Sequence, residues 1–166
     1  MILDTGLRID EALSLDRQTD IDLDQLLLTV KCGKGAKGRV VPFSLALRTH
    51  LVRFTQRHQP EFGSLLFYSG PGDKLVQRNA LRAFKLLCAK LDIHDVRCSF
   101  HTLRHTFATC YLRNGGDVFR LQRILGHAKL EMTRRYVNLQ TEDLSAVHQR
   151  FSPLVAHRAY YTPRIQ

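Results

Sequence analysis

The stretch FHTLRHTFAT, residues 100–109, sets two histidines around an arginine. On a helix, His101 lies about one turn before Arg104 and before His105 and shares a face with each. Two chemistries compete for such a set. Histidines at i and i+4 can hold zinc, but zinc hydrolases built that way also place a glutamate just after the first histidine and add a third ligand. Here the glutamate's place is taken by Thr102. A basic face can instead grip a phosphate. His105 leads into the apolar run TFATCYL and reads as core. Taken alone, His101 and Arg104 could be a solvated charged face and no more.

Other residues with reactive or anion-binding side chains sit elsewhere in the chain. Arg8 falls in the first turn of an expected helix, where free backbone N–H groups and the positive dipole end suit phosphate. Glu11, three residues on, can hold the Arg8 guanidinium by a charge-assisted bond. Lys34 and Lys37 lie in a glycine-rich loop, KCGKGAKGRV. His127 follows a glycine break in LGHAKLEMTRRYVNL, and Tyr136 comes nine residues later on the next expected helix.

Around these residues the sequence lays out a series of helices and strands. MILDTG reads as the end of a helix or tight segment. TGLRIDEALSL starts a helix with Thr5 as N-cap and Leu7, Ala12, Leu13 and Leu15 inward. Residues 25–31 and 39–43 form a β-hairpin around Gly33, Gly35 and Gly38. SLALRTHLVRFTQRH is a helix with Leu45, Leu51, Val52 and Phe54 inward, and SLLFYS is a short third strand. RNALRAFKLLCAKL is a helix, and residues 101–113, 117–125, 129–138 and 141–149 are four more. The fold class is α+β and mainly helical: one domain over residues 1–150, a small antiparallel sheet packed on a helical bundle. Residues 151–166 read as a basic tail, mobile or docking on a partner.

Charge narrows the partner. The 166 residues carry a formal net charge of +10, yet residues 1–30 hold seven acids against two bases. The rest of the chain is therefore strongly basic and calls for a polyanion, nucleic acid first. No lysine-faced amphipathic helix points to a membrane, no run is apolar enough to span one, and no secretory leader follows the first residues. The four cysteines, Cys32, Cys88, Cys98 and Cys110, form no CxxC pair and read as free thiols in a reducing cytosol.

Taken together, TGLRIDEALSL, GKGAKGRVVPF, HTLRHTFAT and LGHAKLEMTRRY, with the tyrosine that ends the last, resemble the catalytic domain of the tyrosine recombinase (phage integrase) family. The motifs keep the family's order and approximate spacing over about residues 1–150. Each motif alone is weak; together they are specific. The resemblance implies that Arg8 and Arg104 hold the scissile phosphate, His127 bonds it, and Tyr136 is the nucleophile. Lys34 is implied as general acid, preferred to Lys37 because glycines flank it on both sides. His101 holds the first position of the HxxR motif, and Glu11 supports Arg8. Lys37 and Arg39 are expected to meet DNA.

The chemistry explains why these types are wanted. Attack on a phosphodiester builds charge on the two non-bridging oxygens, which permanently charged arginine forks hold bidentately. A phenol ionises near pH 10 and needs a base or a strongly positive pocket to ionise at neutral pH; His101 is the candidate base. The departing 5′ oxygen needs a proton, which Lys34 can give. The product is a 3′-phosphotyrosine with a free 5′ hydroxyl, so religation needs no ATP. No metal, cofactor or small-molecule substrate is implied.

The resemblance further implies double-stranded DNA as partner, self-association through the segment after Tyr136, and a cytoplasmic location on DNA. The N-terminal DNA-clamping domain usual in the family is expected to be absent from this chain, which puts tight site-specific binding in question. Three rivals stand beside this reading: a type IB topoisomerase-like nicking-closing activity, a DNA-binding remnant without catalysis, and the zinc hydrolase.

Overall fold

The structure is a computed structural model and describes residues 1–31, 38–58, 63–70, 73–137 and 148. Two short helices open the chain, α1 (Ile2–Thr5) and α2 (Ile9–Leu13). A three-stranded antiparallel sheet follows, β1 (Ile21–Asp22), β2 (Leu27–Val30) and β3 (Arg39–Pro42), in the order β1-β2-β3. Among the described residues five further helices follow: α3 (Leu45–Arg57), α4 (Gln77–Lys90), α5 (Phe100–Arg113), α6 (Val118–Leu125) and α7 (Glu131–Val137). The mainly helical α+β expectation holds. The helix expected over 141–149 and the tail over 151–166 lie outside the described residues, His148 apart.

The hairpin is in the expected place, with Leu28 facing Val41 and Val30 facing Arg39. The third strand is not. It is β1, ahead of the hairpin, pairing Ile21 with Leu28. Asp22 folds the chain back by accepting from the backbone N–H groups of Asp24 and Gln25 at 3.0 and 2.7 Å, an Asx turn that returns the chain alongside itself. The SLLFYS segment instead pairs with residues 15–17: Leu66 donates to the Leu15 carbonyl and Arg17 to the Ser64 carbonyl, at 2.8 and 2.7 Å. Leu66 is buried there.

Helix starts follow their caps. Ser44, Ser99 and Asp117 accept from the backbone N–H groups of Leu47, Thr102 and Arg120, which satisfies donors that have no intrahelical partner. The Ser44 cap sets the phase of α3 so that Leu47 and Leu51 are buried and Leu45 is exposed, against the expectation that Leu45 faced inward. Thr5 is not the N-cap of α2. It ends α1, and its hydroxyl donates to the Met1 carbonyl at 3.0 Å. Arg8 takes the N-cap position, and Glu11 reaches back to accept from the Arg8 N–H at 2.7 Å, half of a capping box.

Two apolar clusters result. One joins α1, α2, the sheet and α3 around Leu7, Leu15, Leu28, Val41 and Leu51. The other joins α5, α6 and α7 around Ala108, Leu112, Leu121, Leu125 and Tyr136. The candidate site lies where they meet.

Candidate active site

Gly6 begins the site. It caps α1 in the left-handed region, with φ 65°, and a Cβ there would stand 2.5 Å from Phe107 and 2.8 Å from Leu125. Only glycine lets α1 come this close to α5 and α6. The approach delivers the Gly6 carbonyl to Arg104, whose Nη1 donates to it. Arg104 is 5% exposed. Its Nη2 donates to the Leu125 carbonyl at 2.8 Å and lies 3.1 Å from His127 Nε2. Burial first, then the neighbouring Arg8, lowers Arg104 from its ordinary value to about 10, so it stays protonated at neutral pH.

Arg8 meets the same place from α2. Its Nη1 donates to Glu11 Oε1 at 3.2 Å and to the Leu125 carbonyl at 3.4 Å. Leu125 ends α6 before Gly126, so its carbonyl is at the negative end of that helix dipole. Glu11 is held by more than Arg8. Arg39 Nη1 and Nη2 donate to its two oxygens at 2.8 Å each, and Arg39 Nε donates to the Ile124 carbonyl at 2.8 Å. Burial opposes ionisation of Glu11, but the Arg39 fork, the Arg8 N–H and both positive charges outweigh it and hold the carboxyl at about 2. Arg39, expected to meet DNA, therefore commits every guanidinium nitrogen inside the protein. It ties β3 to α2 and α6.

His127 is buried behind Arg104. Burial, then the charges of Arg104, Arg8, Arg135 and Arg39, push it down to about 4, so it is neutral at pH 7. A guanidinium only donates, so Nε2 accepts from Arg104 and the proton sits on Nδ1. Nδ1 then donates to the hydroxyl of the fully buried Thr133, at 2.9 Å.

Arg8, His101, Arg104, His127 and Arg135 all line one cleft of about 400 Å³. His101 is exposed at its rim. Four of the expected site residues thus come together. Lys34 and Lys37 lie outside the described residues. Tyr136 does not line the cleft. It is fully buried beside it, with its ring edge-on to His105 at 5.0 Å and parallel to His127 at 6.5 Å. Arg135 Nη2 donates to its hydroxyl at 3.1 Å. Among the described residues no three His, Cys, Asp or Glu side chains gather as a ligand set.

Sequence reasoning named Arg39 as a DNA contact and not as a strut, and it missed the tautomer-setting Thr133 and the clamp Arg135. Thr133 and Arg135 carry no spacing signal, since their partners are fixed by the meeting of α6 and α7. Arg39 did carry one: its pleat partner Val30 faces the core, which argues for an inward side chain.

The profile of the Phage integrase family matches residues 1–143. The chain is 34% identical over 152 residues to tyrosine recombinase XerA of Thermococcus kodakarensis, covering 90% of this chain and 52% of that protein. It is 35% identical over 162 residues to tyrosine recombinase XerC of Rhodospirillum centenum, covering 96% and 46%. The crystal structure of XerA recombinase superposes with a TM-score of 0.76 at 31% identity, over 92% of this chain and 54% of that one. XerH site-specific recombinase, described in a pre-cleavage complex with its difH substrate, superposes at 0.68 and 28% identity, over 82% and 40%. The chain spans about half the length of the curated relatives it matches. With the family profile covering most of its length and its paired arginines meeting at one cleft, this chain belongs to the phage integrase family of tyrosine recombinases.

Proposed function

We propose that this chain cleaves and rejoins DNA strands at specific sites through a 3′-phosphotyrosine formed on Tyr136. The observation that carries the reading is that Arg8 and Arg104, which both line the cleft, converge on one oxygen, the Leu125 carbonyl. Two guanidiniums held that close are set to take the two non-bridging oxygens of a single phosphate, and they gain most as charge builds in the transition state.

Each residue has a step. The Tyr136 oxygen attacks phosphorus and yields its proton to His101. The bond from phosphorus to the 5′ oxygen breaks, and Lys34 supplies that oxygen's proton. The strand end stays on Tyr136, and attack by a 5′ hydroxyl reverses the chemistry. His127 bonds a phosphate oxygen once it carries hydrogen on Nε2, and the Thr133 hydroxyl can turn to donate to Nδ1 and support that tautomer. Tyr136 must leave its slot between His105 and Arg135 to reach the cleft, so DNA binding and exposure of the nucleophile are coupled. The partner is double-stranded DNA, bound through phosphates by the basic part of the chain, with Lys37 among the contacts. Self-association on DNA is assigned to the segment after Tyr136.

The test is a suicide DNA site, nicked so that religation is lost, incubated with the chain in EDTA. Covalent protein–DNA adduct is expected with the wild type and not with Tyr136→Phe. Adduct that persists in Tyr136→Phe overturns the assignment. Plasmid relaxation without recombinant product would move the reading to a topoisomerase-like enzyme. Binding with no adduct would move it to a DNA-binding domain. Sedimentation showing a strict monomer on DNA would refute the self-association.

A further inference from the structure

We propose that Cys88 and Cys98 form a reversible disulfide that clasps the end of α4 to the start of α5. This does not depend on the proposed activity. Cys88 lies in the last turn of α4, and Cys98 directly precedes Ser99, the N-cap of α5. The chain between them folds back through Asp92, which has φ 57°. Ile93 is the hinge of that return. Its N–H donates to the Cys88 carbonyl at 3.0 Å, and its own carbonyl accepts from the Cys98 thiol at 3.8 Å. The Val96 carbonyl accepts from the same thiol at 3.7 Å. One residue therefore bridges the two cysteines.

Both thiols line a single cleft of about 410 Å³, which Ser99 and Leu81 also wall. Those two residues wall the arginine cleft as well. Cys88 is buried and Cys98 half-buried, so Cys98 is the more accessible of the pair. The Cys98 thiol first, and burial second, push the Cys88 thiol up from its ordinary value. Cys110 is exposed on α5 as a separate free thiol.

The chemistry balances with a low-molecular-weight disulfide as oxidant. The Cys98 thiolate attacks one sulfur of the oxidant, forms a mixed disulfide and releases one thiol. Cys88, losing its proton to solvent, attacks the Cys98 sulfur and expels the second thiol. Two protein thiols are oxidised to one disulfide, and the oxidant is reduced to two thiols. Such bonds in a reducing setting are transient and report oxidation rather than hold the fold. This one would fix the approach to α5, the helix that carries His101 and Arg104.

The full chain, folded by circular dichroism, should be equilibrated with oxidised and reduced glutathione over a series of ratios. Free thiols are then blocked by alkylation, and the digest is read by mass spectrometry. The expected result is a peptide pair joining Cys88 to Cys98, with both thiols lost to alkylation together at one midpoint and regained with dithiothreitol. Cys110 should yield only a mixed disulfide with glutathione. In Cys88→Ser, Cys98 should stop at the mixed disulfide. The proposal is overturned if Cys88 stays open to alkylation at the oxidising end. It is equally overturned if Cys98 carries glutathione in the wild type without resolution, or if either sulfur couples to Cys32 or Cys110 instead.

Discussion

Arg8 and Arg104 donate to the same oxygen, the carbonyl of Leu125, at 3.4 and 2.8 Å. Two like charges meet only if something negative holds them there. The end of the α6 dipole does so from one side, and Glu11 does so for Arg8 from another. A phosphate in the cleft would supply the same neutralisation from the open side. The two arginines are nonetheless unequal, because Arg104 is buried among carbonyls and Arg8 is exposed.

That inequality gives the first prediction. Arg8→Ala should lower the rate of adduct formation at least about a hundredfold while leaving the midpoint of urea unfolding nearly unchanged. Arg104→Ala should cost a similar factor in rate and also destabilise by about 2–3 kcal/mol, since the Gly6 and Leu125 carbonyls lose their donor. Equal unfolding midpoints for the two variants would contradict this account.

Arg39 acts through Glu11. Arg39→Ala should destabilise by about 2 kcal/mol, the scale of a charged hydrogen-bonded partner lost from a mostly buried pair. Because Arg8 then loses its aligned support, adduct formation should drop while the salt dependence of DNA binding keeps its slope. A direct phosphate contact would change the slope by about one, so the salt titration decides whether Arg39 is internal or touches DNA.

Gly6→Ala tests the backbone approach. The residue has φ 65°, and its new Cβ would meet Phe107 and Leu125. Strain and overpacking together should destabilise by about 2–4 kcal/mol. Pairing it with Phe107→Ala should recover part of that loss in a double-mutant cycle. Full additivity would mean that the clash is not the cause.

His127 sets a pH window. Its folded value, about 4, is below the ordinary 6.5, so between the two the unfolded chain binds more protons than the folded one. The His127 contribution to stability is whole above pH 6.5 and is lost as pH falls through about 4. Glu11, held at about 2 against an ordinary 4.5, adds a second loss in the range below that. His127→Gln should flatten the urea-unfolding slope between pH 6.5 and 4 and leave the lower range unchanged. Inorganic phosphate bound in the cleft should raise the His127 titration midpoint seen by NMR.

Much of this molecule was legible in the linear sequence because its signals are local. Caps such as Ser99 and Asp117, the apolar spacing of α5 and α6, and the turn glycines act within a few residues of themselves. Four of the residues that line the cleft, Arg8, His101, Arg104 and His127, could be named from motifs because each motif keeps its own short spacing. Local rules also misled. Thr5 looks like a cap and is an α1 terminus, and SLLFYS looks like a sheet strand and pairs with residues 15–17 instead.

What the chain order could not decide is which groups satisfy one another across α1, β3, α6 and α7. The Gly6 and Leu125 carbonyls that seat Arg104, the Arg39 fork on Glu11 and the Thr133 hydroxyl behind His127 come from segments far apart in the sequence. Buried charges and ring nitrogens must find partners of fixed distance and direction, and only the packing of the two apolar clusters brings those partners within reach. The residue types and their order belong to the sequence. The burial of Tyr136, the tautomer of His127 and the unequal exposure of the two arginines follow from tertiary packing alone.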